Sequence, residues 1–205
     1  MTNNLFYLHF LCKSNKPQRV SREIKKSKLD NNFDKLFFNF LIIIGYPELD
    51  INYNNNIEKN IKYNFAQNLE KIKFKKMNNV IENMCYEENI NLYTLSALCK
   101  YNNLNFIYVN ENIKYEMFYN EDSNSYYLVN NNKDIKFIKK ENLYKICENK
   151  YNIQNIEKPI NSITYYKLDE LSEIYNKINN DYSDIKYKKK EIYEIIKKNI
   201  YSLIL

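Results

Sequence analysis

The sequence contains very little glycine and histidine, and each shortage removes a class of function. Gly occurs once in 205 residues, at Gly45, which excludes the glycine-rich phosphate loops of P-loop and Rossmann proteins. His also occurs once, as His9, and the four cysteines form no Cys-x-x-Cys pair. Because transition-metal sites need clustered imidazole and thiolate ligands, we expect no metal and no other cofactor.

The cysteine pattern also argues against a secreted, disulfide-stabilised protein. A chain of this length can bury a core without covalent links, and its cysteines are far apart in sequence: Cys12, Cys85, Cys99 and Cys147. The apolar run Leu5–Leu11 lacks the basic flank and the cleavage site of a signal peptide. The run Leu36–Gly45 has ten residues, about half of what spans a bilayer. We therefore expect a reducing, cytoplasmic location and no membrane partner.

The residues that are abundant indicate a globular protein with a basic N-terminal arm. Hydrophobic residues make up 44% of the chain and aromatic residues 16%, chiefly Tyr. Residues 13–28 hold seven basic side chains and one acidic, which accounts for the whole net charge of +6. We assign residues 1–30 to this arm. It is either a solvated tail or a segment that contacts phosphate or an acidic partner through Arg19, Arg22, Lys25 and Lys26.

Hydrophobic periodicity predicts a helical first half for a core domain over residues 31–158. The run after Asp34 is apolar almost all round, which is typical of a buried central helix ended by Gly45 and Pro47; a buried strand is the alternative. The stripe from Ile57 to Met84 predicts one bent helix or two.

The period then changes from that of a helix to that of strands. Residues 92–99 repeat apolar side chains at helical spacing, and Asn89 or Asn91 can cap this helix. Four runs rich in aromatic and β-branched residues follow: Phe106–Val109, Lys114–Tyr119, Tyr126–Val129 and Ile135–Ile138. Lys139–Tyr151 reads as a further short helix. The sequence thus predicts an α+β fold in which helices pack on a small antiparallel strand meander, followed by a C-terminal helix pair.

The segment after Pro159 has a character of its own. Residues 160–205 predict two amphipathic helices around an extended loop, and they resemble SAP-like helix–extended loop–helix modules through KLDEL at 167–171 and KKEI at 189–192. The turn at 179–181 departs from that pattern because it lacks the usual Gly. The resemblance implies DNA binding through basic residues at the loop and at the start of the second helix, which here are Lys186, Lys188, Lys189 and Lys190. A packing or protein-docking module is the alternative, since the segment carries eight basic and seven acidic side chains.

The core also resembles the OTU branch of cysteine proteases. The matching motifs are DKLF at 34–37, LSAL at 95–98 and NFIYV at 105–109. A thiol protease needs a Cys activated by a nearby His. Here Lys35 occupies the place where the family has its Cys, and no His follows His9, whereas the family supplies one near the end of its strand series. The resemblance therefore implies a protease-like scaffold without a catalytic pair.

Taken together, the order of these motifs resembles that of an uncharacterised family of nucleocytoplasmic large DNA viruses. The resemblance implies a late or virion-associated role in the host cytoplasm, viral factory or particle. We predict a non-enzymatic viral protein whose C-terminal module docks on DNA or on a protein partner, other virion proteins included. The alternatives are an OTU-type cysteine protease or deubiquitinase and a purely structural interaction subunit.

Overall fold

The structure, a computed structural model, describes residues 33–50, 53–120, 122, 125–179 and 187–204. These residues form a helical first half, a five-stranded sheet and a final helix pair. The predicted α+β class is therefore confirmed. The predicted N-terminal arm, His9 and Cys12 lie outside the described residues. Among the described helices, none combines the length and the apolar character needed to cross a membrane.

Helix α1, Lys35–Ile43, is the buried helix predicted after Asp34. It begins where it does because the Asp34 carboxylate accepts hydrogen bonds from the backbone N–H groups of Leu36 and Phe37. It is followed by a left-handed Gly45, with φ of 66°. The N–H groups of Gly45 and Tyr46 bond carbonyls of the last turn, which satisfies the helix end. The side chains of Phe37 and Phe40 have no exposed surface.

The predicted stripe after residue 57 is two helices rather than one. Helix α2 is Asn55–Leu69 and helix α3 is Met77–Tyr86, and Lys76 adopts a left-handed backbone conformation between them. Helix α4, Leu92–Tyr101, is capped by Asn91, whose side chain accepts a 2.8 Å hydrogen bond from the Thr94 N–H. Of the two predicted caps, Asn91 is thus the one that the structure shows.

The sheet contains the four predicted strands and one that was missed. The strands are β1 (Phe106–Asn110), β2 (Ile113–Met117), β3 (Ser125–Val129), β4 (Ile135–Lys139) and β5 (Tyr151–Ile153). Their order is β4-β3-β1-β2-β5. The pairs β1–β2 and β3–β4 are antiparallel, whereas β1–β3 and β2–β5 are parallel. The predicted antiparallel meander is therefore wrong, and the sheet is mixed.

Asn105 holds the chain crossing that separates β2 from β3 in the mixed sheet. Its buried side chain accepts hydrogen bonds from the N–H groups of Tyr119 and Asn120, both at 2.9 Å, and donates to the Asn120 carbonyl at 2.6 Å. These bonds draw the segment after β2 across the start of β1. After this crossing the chain enters β3 beside β1 and parallel to it, where the Tyr127 N–H donates to the Asn105 carbonyl.

The two faces of the sheet are covered differently. One face presents apolar and aromatic side chains to the core that contains helices α1 to α4: Phe106, Tyr108, Ile113, Tyr115 and Met117. The opposite face carries a small separate cluster, in which Ile107 and Tyr126 pack against Leu143 of helix α5. Helix α5 is Lys140–Cys147. The helix predicted over Lys139–Tyr151 is thus shorter than expected, and its last predicted residue belongs to β5. Helix α5 is too short to cover that whole face.

The final helices, α6 (Leu168–Asn179) and α7 (Lys189–Ile204), run in roughly the same direction, since Asn199 near the end of α7 donates to the Asn179 side chain at the end of α6. Both C-terminal ends lie at the β1–β2 turn, where Asn112 donates to the Ile178 carbonyl and Asn110 to the Leu203 carbonyl. These amides satisfy carbonyls that a helix end leaves unpaired. The N-terminal ends of both helices therefore point away from the turn. The apolar side chains of the pair join the main core: Leu171, Ile178, Ile192, Ile196 and Ile200.

Candidate functional site

Three of the predicted DNA-binding lysines lie together at the outer end of the helix pair, that is, at the N-terminal end of α7, away from the β1–β2 turn. Lys189 and Lys190 form the first turn of α7, and Lys188 directly precedes it. Lys188 and Lys190 are exposed and Lys189 is half-buried. Their ammonium groups make no hydrogen bond or ion pair with any described residue. The other predicted residues lie outside the part of the chain that the structure describes: Lys186, Arg19, Arg22, Lys25 and Lys26.

The start of each helix of the pair is fixed by the same local arrangement. The Glu191 carboxylate accepts the Lys188 backbone N–H at 2.9 Å, and the Glu170 carboxylate accepts the Lys167 backbone N–H at 2.6 Å. The carbonyls of Lys188 and Lys167 accept N–H groups from the first turn that follows. Each glutamate thus satisfies one of the unpaired backbone donors. The lysine side chains at these two positions are left exposed.

The electrostatics of this outer end are mixed, with a basic side on α7. Glu170 and Asp169 lie on the first turn of α6, and Glu191 lies on that of α7 beside its lysines. Because the helices are parallel, the positive ends of both helix dipoles point the same way. The exposed side chain of Tyr187 flanks the lysines. An arrangement of ammonium groups, helix N-termini and an aromatic ring can bind phosphates.

The head of helix α1 is where the protease resemblance would place a nucleophile. The ammonium of Lys35 lies 2.7 Å from an Asp134 carboxylate oxygen and 2.8 Å from the Asn132 carbonyl. Asn39 donates to the neighbouring Lys133 carbonyl at 2.9 Å. The β3–β4 turn is therefore bound to the helix through an exposed ion pair. The side chain in this position is thus a paired lysine and not a cysteine.

A buried cluster of charges lies at the same end of helix α1. The Lys62 ammonium is 3.0 Å from an Asp34 carboxylate oxygen, 3.1 Å from one of Glu58 and 2.7 Å from the Glu88 carbonyl. The Glu58 carboxylate also accepts the Asp34 N–H and, at 2.8 Å, the Tyr53 hydroxyl. Every donor of Lys62 is used, so the cluster binds α1, α2 and the segment before α4 together.

The pKa values of the three described thiols are all shifted upward. Burial raises the pKa of Cys99 well above its ordinary value, and Cys99 has no exposed surface. Burial also raises the pKa of Cys85 and of Cys147. A nucleophilic cysteine needs the opposite shift, toward the thiolate. Among the residues that the structure describes, no three His, Cys, Asp or Glu side chains lie close enough to hold a metal ion.

Sequence reasoning missed a cleft on the second face of the sheet, between β2 and helix α5. It has a volume of about 310 Å³, and its walls include Lys114, Glu116, Phe118, Lys140, Tyr144 and Cys147. The available signal was the alternation of apolar and charged residues in β2. Lys114 and Glu116 point away from the core, and Phe118 follows them. Nothing in the sequence alone showed that α5 would lie opposite them.

Comparison with known proteins found no matching family model, no similar curated protein and no similar solved structure. The resemblances to OTU-type proteases, SAP-like modules and a family of large DNA viruses therefore rest on the quoted motifs. They stay predictions.

Proposed function

We propose that the protein is a non-enzymatic docking protein that binds DNA through the start of helix α7. The observation that carries the proposal is the position of Lys188, Lys189 and Lys190. These three lysines are consecutive at the N-terminal end of α7, and no described residue forms an ion pair with their ammonium groups.

The expected mode of binding is contact with the phosphate backbone. Lysine ammonium groups neutralise phosphates and release counterions, so affinity falls steeply with salt and depends little on sequence. Lys188–Lys190 would each reach a phosphate, and the N-terminus of α7 adds a partial positive charge. Hydrogen bonds to the β1–β2 region hold the C-terminal ends of both helices, so the basic N-terminal end of α7 is attached to the sheet through its own helix.

Two observations support the non-enzymatic part of the proposal. At the head of α1 the side chain in the nucleophile's place is Lys35, and its ammonium is paired with Asp134 at 2.7 Å. The described thiols have raised pKa values, which disfavours the reactive thiolate. A viral, virion-associated setting remains part of the proposal because the motif order suggests it.

Fluorescence anisotropy of labelled duplex DNA with the full chain tests the proposal. The variant Lys188→Gln/Lys189→Gln/Lys190→Gln should weaken binding and flatten the salt dependence by about 0.9 in slope for each phosphate that is no longer neutralised. The matched control is Lys59→Gln/Lys73→Gln/Lys75→Gln, which removes the same charge from exposed lysines elsewhere. Equal weakening by both variants would show a general charge effect and contradict the proposed site.

Two further measurements separate the alternatives. Replacing Arg19, Arg22, Lys25 and Lys26 with Gln should leave most of the affinity intact; loss of binding in that variant alone would transfer the role to the N-terminal arm. Labelling by a thiol-reactive ubiquitin probe should be absent. Labelling that disappears when one cysteine is replaced with Ala would favour the OTU-type protease instead.

A further inference from the structure

The cleft between β2 and helix α5 exists because α5 covers only part of the sheet's second face. Leu143 packs over Ile107 and Tyr126, which closes the face above β1 and β3. The side chains of β2 on the same face, Lys114 and Glu116, lie beyond the helix and stay partly exposed. A space of about 310 Å³ remains between them and the helix. That volume is at the lower end of the range for small-ligand pockets.

Three aromatic side chains, Phe118, Tyr126 and Tyr144, line this cleft. Phe118 packs edge-on against Tyr126 with ring centroids 5.1 Å apart, and it remains partly exposed. Tyr144, on α5, is 72% exposed although it lines the cleft. Exposed ring faces at the rim of a cavity favour a flat aromatic ligand, because stacking would remove apolar surface from water on both partners.

The charged groups of the cleft are of two kinds. The Lys114 ammonium lies 2.6 Å from a Glu116 carboxylate oxygen, so a hydrogen-bond donor and an acceptor stand side by side on one wall. Lys140 lies on the opposite wall, is exposed, and forms no ion pair with any described residue. The first group can bond the edge of a heterocyclic ring that carries both donors and acceptors. The second can bind an anion.

We propose that this cleft binds a nucleotide. The base stacks on Tyr144 and Phe118, its polar edge bonds the Lys114–Glu116 pair, and its phosphate contacts Lys140. The ligand is either a free mononucleotide or one unstacked nucleotide of a single strand, since both present the same base and phosphate. The inference is independent of duplex binding at helix α7, because the cleft shares no residue with Lys188–Lys190.

Isothermal titration calorimetry of the full chain with AMP, with UMP and with a short single-stranded oligothymidylate tests the proposal. Tyr144→Ala should weaken binding about tenfold or more, in keeping with the removal of one base-stacking ring. Lys140→Gln should weaken nucleotide binding severalfold because the phosphate then has no ammonium partner. Binding of AMP and UMP identifies a mononucleotide site, whereas binding of the oligonucleotide alone identifies a single-strand site.

Matched controls separate this site from general effects. Lys145→Gln removes the same charge from the same helix outside the cleft, and Tyr86→Ala removes a ring that is 83% exposed elsewhere. Both should bind as the parent protein does. The Lys188/Lys189/Lys190→Gln variant should keep its nucleotide affinity, so failure of the two proposals can be told apart. Absence of binding to all three ligands, or equal effects of Lys140→Gln and Lys145→Gln, would overturn the proposal.

Cys147 provides a second readout inside the cleft. In a Cys12→Ser/Cys85→Ser background, bound nucleotide should slow alkylation of Cys147 by a maleimide, because the thiol lines the cavity. Buried Cys99 should stay unreactive until the protein unfolds. An alkylation rate that is unchanged at saturating nucleotide would place the bound nucleotide elsewhere and contradict the proposal.

Discussion

Lys62 and the lysines at the start of α7 illustrate two opposite uses of the same side chain. Lys62 is 2% exposed, and its ammonium is bonded to Asp34, Glu58 and the Glu88 carbonyl. Lys188 and Lys190 are exposed, and their ammonium groups bond no described residue. Lys62 has no ammonium donor left for a ligand, because all three are bonded within the fold. The ammonium donors of Lys188 and Lys190 bond no described residue and are available to a ligand.

The physical reason for the difference is the cost of desolvation. A buried charge loses its hydration and is tolerated only when partners replace every hydrogen bond that water made. Such a group acts on stability and cannot also be a binding site without exposing its partners. An exposed ammonium keeps its water and contributes little to folding, so it is available to a phosphate. Burial and hydrogen-bond saturation together therefore separate structural charges from candidate functional ones.

Removal of the buried cation should have the largest effect. Lys62→Met leaves the carboxylates of Asp34 and Glu58 buried without their shared partner, and we expect the free energy of unfolding to fall by about 3–5 kcal/mol. Urea unfolding followed by circular dichroism measures this change. The control is Lys59→Met, an exposed lysine on the same helix, which should change stability by less than about 0.5 kcal/mol. A loss no larger for Lys62 than for Lys59 would show that the cluster is not structural.

Tyr53 tests the same cluster through a neutral group. Tyr53→Phe removes the 2.8 Å hydrogen bond to Glu58, and we expect a loss of about 1.5–3 kcal/mol because the acceptor is charged. Burial and the nearby carboxylates of Glu58 and Asp34 raise the pKa of this hydroxyl. The unfolded chain therefore ionises first, and stability should fall as pH rises above about 10.

The phenylalanine variant should lose stability less steeply with pH in that alkaline range. Exposed Tyr63 supplies the control, since Tyr63→Phe should leave both stability and its pH dependence unchanged. The contrary outcome is that the free energies of unfolding of Tyr53→Phe and of the parent protein fall equally with pH above about 10. That result would show that the pKa of Tyr53 is not raised in the folded state.

The opposite end of the helix pair should give an intermediate effect. Asn110→Ala removes one of two donors to the Leu203 carbonyl, and the Tyr108 hydroxyl, at 2.8 Å, remains as the other. We expect a loss of about 0.5–1.5 kcal/mol in urea unfolding. Asn60→Ala, an exposed truncation, should stay within about 0.5 kcal/mol. An unchanged stability for Asn110→Ala would show that the Asn110 hydrogen bond does not help to hold α7, since Tyr108 then suffices.

Local patterns predicted the elements because the signals for those elements are local. Asp34, Asn91 and Gly45 mark helix ends through bonds to backbone groups a few residues away. The four strand runs were predicted to within two residues at each end. The sheet order could not be predicted in this way. The order includes a chain crossing at the start of β1 that Asn105 holds by hydrogen bonds, and nothing in the sequence distinguishes this asparagine from the many others.

The candidate sites also differ in whether their signal is local in the sequence. The lysines before and within the first turn of α7 were predictable because a basic run at a helix start is visible in the sequence. The cleft was not, because its walls come from β2 and α5, whose proximity depends on the path of the chain through the sheet and on the short length of that helix. The buried cluster was also missed, since Asp34 is far in sequence from Glu58 and Lys62, and each alone resembles a surface residue.

The Lys35–Asp134 ion pair is formed but remains exposed to water. Its removal should therefore have the smallest effect on stability. The two side chains are 49% and 46% exposed, so salt and water screen their attraction. The hydrogen bond from Lys35 lowers the pKa of Asp134. The carboxylate therefore stabilises the fold above the ordinary aspartate pKa, about 4, and this contribution disappears as pH falls further.

Asp134→Asn should consequently differ only slightly from the parent protein in urea midpoint at pH 7 and low salt, and the two midpoints should converge in acid or in high salt. Asp122→Asn, an equal charge change at an exposed residue, is the control. A loss for Asp134→Asn as large as that for Lys62→Met would show that ion pairing alone, without burial, makes a charge structural. The small effect expected here thus isolates burial as the property that separates Lys62 from the exposed lysines.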